Sequence, residues 1–271
     1  MGASTGNLLV EDPQALDAIF RDSPVLIVTH CESGPVIAQN QEELRIEKAE
    51  FTIEDHPALR DANACYASSS YAVELAKKHN SQLHVLHITT EKELALFEAG
   101  PIQNKRITAE ACVHHLWFSN QDYAALGNQI KCNPAIKYPN DRESLITALN
   151  SGKIDIIATD HAPHTWEEKQ VPYEQAPAGL PLVQHALLTL FDHVKSGRLT
   201  VDQVVEKTAH NPALRYAIRE RGFIREGYYA DLVLVDSQTS TLVSDENILY
   251  KCEWSQFSWH EFSAQIKHTH G

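Results

Sequence analysis

Residues 156–164 read IIATDHAPH. An apolar run of the kind that fills a buried strand stops at Asp160, and two imidazoles follow within four positions. A carboxylate at the end of such a strand is costly unless it is hydrated, hydrogen-bonded or bound to a cation. The stretch therefore asks what lies at the ends of the other strands.

Three more segments have the same character: PVLIVTH (24–30), QLHVLHITT (82–90) and KRITAEACVHHLWF (105–118). With KIDIIATDH (153–161) they are short, rich in Val, Ile and Leu, and bounded by polar or Gly/Pro residues, the pattern of strands buried on both faces. Helical patterns lie between and after them, over 56–79, 91–100, 140–152, 180–196 and 201–220. Pro57 falls in a first turn, Asn140 is an N-cap candidate, and Gly100, Gly152 and Gly197 are helix-stop candidates. Alternating strands and helices predict a parallel α/β fold. GYYADLVLVD (227–236) has no helix behind it and reads as a return into a small β region.

The 271 residues are 43% hydrophobic, enough for one large domain or one and a half smaller ones. No run approaches the roughly 18 apolar residues of a membrane span, and MGASTGNLLVEDPQ lacks the parts of a signal peptide. A cytoplasmic protein without a membrane partner is expected. The net charge of -13 is spread along the chain, which argues against a nucleic-acid surface. Five widely spaced cysteines, with no CxxC, argue against a disulfide framework or a cysteine zinc cluster.

Most of the fifteen histidines, such as His79, His193 and His210, read as surface or helix residues. His30, His87 and Asp160 differ because each closes a predicted strand. Functional residues of parallel sheets gather at carboxyl ends, and two imidazoles with a carboxylate suit zinc or a similar divalent ion. Taken singly, each has a plainer explanation: a hydrogen-bonded histidine, or a turn aspartate. His161 and His164 flank Pro163 in a stiff turn, so one of them could face the same pocket. Asn133 stands before a proline, where a turn role is the simple account. Glu32 reads as a supporting or surface residue.

ATDHAPH, together with VTHCE, LHVLHITT, TAEACVHHL, KCNPAIK and IREGYYADLVLVD, resembles dihydroorotase of the amidohydrolase superfamily over most of the chain. The resemblance implies a (β/α)8 barrel with a zinc centre of one or two ions and a small β domain. His30 and His87 would be metal ligands, and Asp160 a ligand and the catalytic acid/base. Asn133 and His164 would contact substrate; His114 and His115 acquire no defined role. The implied activity interconverts dihydroorotate and N-carbamoyl-aspartate in pyrimidine biosynthesis, with zinc activating water and polarising the cyclic amide carbonyl. A homodimer is also implied.

The family's first strand carries HxH, but here HTH occurs only at His268 to His270. The bridging strand-four ligand and the carboxylate-binding Arg also have no counterpart, and Met1 is the sole methionine. The expected fold is thus an incomplete TIM-type barrel holding strands five to eight over 1–222, with a partial small β domain over 223–271. A fragment of this kind is expected to be inactive, or nearly so, alone. Other readings are a hydantoinase-like or allantoinase-like hydrolase, complementation by a second polypeptide, and a non-catalytic dihydroorotase-like partner subunit.

Overall fold

The computed structural model describes Met1 and residues 10–271. In chain order the elements are α1 (Pro13–Asp22), β1 (Ile27–Thr29), α2 (Gly34–Glu47), α3 (His56–Leu59), α4 (Ala62–His79) and β2 (Leu83–Val85). Then come β3 (Ile107–Cys112), α5 (Val113–Trp117), α6 (Tyr123–Leu126), α7 (Pro139–Asn150), β4 (Ile156–Ala158), α8 (Trp166–Lys169), α9 (Ala186–Lys195), α10 (Val201–Val205) and α11 (Asn211–Arg215). The chain ends with β5 (Leu232–Asp236), β6 (Thr241–Leu242), β7 (Glu261–Phe262) and β8 (Gln265–His270).

The expected parallel sheet is present, in the order β1-β2-β3-β4. Ile27 pairs with Leu83, Leu83 with Ile107, and Glu110 with Ile156. Leu83, Val85, Ala109 and Ala111 are fully buried, as strands covered on both faces should be. The strands are shorter than the sequence pattern implied. The largest difference is at 113–117, expected as strand but folded as α5.

α4 shows how local chemistry sets an element. The Asp61 side chain accepts from Ala64 N at 2.8 Å and caps its start. Asn80, in a left-handed conformation (φ 54°), ends it. Ala72, Val73, Leu75 and Ala76 face the core between these ends. Arg60 interrupts the predicted 56–79 helix with a non-helical backbone (φ -109°, ψ 65°), which separates α3 from α4. The pattern over 91–100 yields only a 3₁₀ segment at Lys92–Leu96. At 140–152 the N-cap is Tyr138 rather than Asn140, while Gly152 does follow the helix with φ 74°.

β5 pairs antiparallel with β8, so HTH at 268–270 lies on a strand of the small β region. Leu232, Val233 and Leu234 are exposed there. The following segment behaves differently: Val243, Phe257 and Phe262 are buried in the main core, against α5 and α9. Among the described residues, no helix is long and apolar enough to cross a membrane.

Candidate metal centre

β1, β2 and β4 end within two residues of His30, His87 and Asp160. His87 (φ 37°) and Asp160 (φ 49°) both occupy the left-handed region, which favours glycine. Such strain persists where the surrounding fold imposes it, and it clusters at functional sites. The bend turns His87 toward β1, where its Nε2 lies 3.0 Å from His30 Nδ1. Two ring nitrogens that close either share one proton or direct two lone pairs at one cation. His87 Nδ1 is buried without a partner. Burial, then His30 and His114, depress the His87 pKa well below the usual imidazole value, which keeps it a neutral donor.

Asp160 is open to solvent, and its carboxyl does not come within 4.8 Å of both imidazole nitrogens. Nearby protein mass raises its pKa, Glu110 adds to the shift, and His30 opposes it. Behind His30, the Glu32 carboxylate approaches Nε2 at 3.0 Å without the alignment of a hydrogen bond. Glu32 is fully buried, and Arg60 pairs with it. A carboxylate behind an imidazole is a familiar way to orient a metal-binding ring. The residues present fit a metal: two converging nitrogens at the neighbouring ends of β1 and β2, with a carboxylate at the end of β4.

A cavity of about 380 Å³ opens beside this centre, lined in part by Arg60, Asn133, Lys131, His56 and Tyr173. Asn133 Oδ1 has no partner. His56 Nε2 donates to the Cys132 carbonyl at 2.8 Å, which leaves Nδ1 to accept from Tyr173 at 2.8 Å. His164 is turned to a structural task, with Nε2 donating to the Ala178 carbonyl at 3.2 Å. That carbonyl belongs to a residue of the cavity wall, so the structure places His164 behind the wall rather than among its lining residues.

The segment after Asp160 is held by two devices. Gly179 has φ 143°, and a Cβ there would collide with the Ala162 carbonyl oxygen. The Lys169 ammonium, fully buried, donates to the carbonyls of Lys131 (3.2 Å), Pro177 (2.9 Å) and Gly179 (3.0 Å). His161 is exposed, and its Nδ1 accepts from Leu182 N at 2.9 Å.

Sequence reasoning overlooked Arg60 and His56, whose only signal was the polar cluster in HPALRD before α4. It also left undefined the adjacent His114 and His115. With Cys112 they form a fully buried group whose potential ligand atoms lie within 4.8 Å of one another.

Comparison with known proteins places this geometry in context. The amidohydrolase family model matches residues 15–252. The chain is 32% identical over 259 residues to a dihydroorotase of Halobacterium salinarum, covering 95% of this chain and 59% of that protein. It is 36% identical over 198 residues to a dihydroorotase of Methanosphaera stadtmanae, covering 73% and 45% respectively. Among solved structures, an L-hydantoinase (dihydropyrimidinase) from Arthrobacter aurescens superposes with a TM-score of 0.90 at 21% identity, over 100% of this chain and 62% of that one. At that identity the likeness speaks to the fold. The chain thus spans about half to three-fifths of the length of the curated relatives it matches.

Proposed function

The chain belongs to the amidohydrolase family, and on that premise we propose that it carries the metal-binding part of a dihydroorotase-type cyclic amide hydrolase. The observation that carries this reading is the 3.0 Å convergence of His30 Nδ1 and His87 Nε2 at adjacent strand ends. Its substrate pair is dihydroorotate and N-carbamoyl-aspartate, a reading supported by the relatives named dihydroorotase. Zinc is the ion proposed, held by His30, His87 and Asp160; when bound, it would polarise the scissile carbonyl and acidify water.

The protein's own groups do the rest. His87, neutral by burial, and His30, backed by Glu32, fix the direction of the two nitrogens. A carboxylate oxygen of Asp160 takes the proton of the attacking water and returns it to the ring nitrogen as the amide bond breaks. Its raised pKa brings it closer to an efficient proton carrier at neutral pH. Asn133 offers its unpartnered Oδ1 to a substrate N–H. His164 contributes by fixing the loop and could contact substrate only after release from Ala178.

We divide the chain into half of a TIM-type barrel (1–222) and a partial small β region (223–271). The parallel sheet has four strands among the described residues, where a closed barrel of this type has eight. A segment supplying four further strands would cover the edges of β1 and β4 and complete the ligand set. The expected consequences are weak activity of the 271-residue chain alone, a cytoplasmic location and a dimeric assembly.

The test is zinc-dependent dihydroorotate hydrolysis by the purified chain, alone and mixed with the first half of the Halobacterium salinarum enzyme. Turnover only in the mixture, lost with His87→Ala, supports the proposal. Full turnover by the chain alone would overturn the shared-site reading. Turnover of hydantoins without dihydroorotate would overturn the substrate assignment.

A further inference from the structure

We propose that Cys112, His114 and His115 form a second metal site, separate from the His30–His87 pair, for a soft d10 ion such as Zn2+ or Cu+. One potential ligand atom from each residue lies within 4.8 Å of the other two. All three sit where the chain leaves β3 and enters α5. Their exposures are 0%, 0% and 3%, so water is not at hand to satisfy them.

The ring nitrogens are the second, independent observation. His115 Nε2 donates to the Pro134 carbonyl at 3.0 Å, since a carbonyl can only accept. That fixes the tautomer and leaves a lone pair on Nδ1, which is buried without a partner. Metal-ligating histidines are commonly anchored in this way, through the nitrogen that does not face the ion. Both nitrogens of His114 also lack a hydrogen bond. The Thr159 backbone lies near the His114 ring without the alignment of a hydrogen bond. A buried polar group left without a partner is destabilising. Packing alone gives the two rings a tilted contact at 4.0 Å and leaves all three nitrogens unsatisfied. A metal would satisfy two of them.

The sulfur selects the class of ion. Thiolate with imidazole suits Zn2+ and Cu+, whereas Mg2+ and Ca2+ prefer oxygen ligands. Cys132 is a poor fourth ligand: its Sγ donates to the Pro134 carbonyl at 3.2 Å and approaches the nitrogen of His115 that is already engaged. On binding, the metal–sulfur bond forms as the Cys112 S–H proton leaves to solvent; no electrons are exchanged.

Cobalt(II) separates this site from the proposed catalytic one, because the latter has no thiolate. The full chain, refolded with Co2+ under reducing conditions, should show a near-ultraviolet thiolate-to-cobalt charge-transfer band. The band should persist in His30→Ala/His87→Ala and in Cys132→Ser, and vanish in folded Cys112→Ser. If Cys112→Ser does not fold, His115→Asn serves, with cobalt affinity expected to fall at least about tenfold. No band in the wild-type chain, a band surviving Cys112→Ser, or unchanged affinity in His115→Asn would overturn the site. None of these outcomes depends on dihydroorotate turnover.

Discussion

At the carboxyl ends of β1, β2 and β3, four histidines keep buried ring nitrogens without hydrogen-bond partners. Against α9, a second set of histidines is largely paired. His185 Nδ1 lies within hydrogen-bond distance of the Ser255 and Tyr250 hydroxyls, at 3.2 and 3.3 Å, and His260 Nε2 reaches Asp192 at 3.2 Å. Trp117, Phe257 and Phe262 surround these rings. The comparison shows that histidine count carries little meaning, while the bonding of each nitrogen separates rings that build the core from rings held ready for a ligand. His193 is the exception in the second set, because its Nε2 also lacks a partner.

The sharpest way to break this contrast is at Asp160. Asp160→Asn should lower turnover of the active assembly by about 10²–10⁴-fold, with little change in the urea midpoint because the side chain is open to solvent. Equal losses of stability and activity would mean that the strand ends are structural too. Phe257→Ala should do the reverse. It removes a ring 2% exposed and costs about 3–5 kcal/mol in urea unfolding, while zinc content per folded chain stays constant.

A pH titration sharpens the same line. Burial depresses His185 and His193 from 6.5 to about 4. Both stay neutral in the folded chain while the unfolded chain takes up protons, so their contribution is complete above pH 6.5. It is lost as pH falls from there to about 4, with each pKa unit worth about 1.4 kcal/mol at most. The urea midpoint of the metal-free chain should fall across that window, and His193→Leu should flatten the slope. A flat wild-type profile would refute it. The smallest effect is expected from Gly179→Ala, about 1–3 kcal/mol, read as earlier melting with the aromatic packing around α9 intact.

Much of this was legible before folding. Four strands and the positions of His30, His87 and Asp160 could be read from apolar runs ending in polar residues. α2 could not, because none of its residues is buried and it carries no apolar stripe. α1 left a signal that was passed over: Asp12 as cap, Pro13 behind it, and Leu16 with Phe20 on one face. The Cys112 group was hidden by adjacency, since neighbours on a helix or strand point apart. Only the change from β3 to α5 brings 112, 114 and 115 together. His193, expected as a surface or helix residue, lies on a helix but is buried, a distinction that depends on what packs against α9.

Lys169 has a consequence for proteolysis. Trypsin must draw a lysine side chain into its own specificity pocket, and this one is sequestered by three backbone carbonyls from 131, 177 and 179. The bond after Lys169 can be cut only from molecules in which that segment has come away from the three carbonyls that hold it. At low protease concentration, the yield of this single fragment would therefore measure how often the loop beyond Asp160 opens.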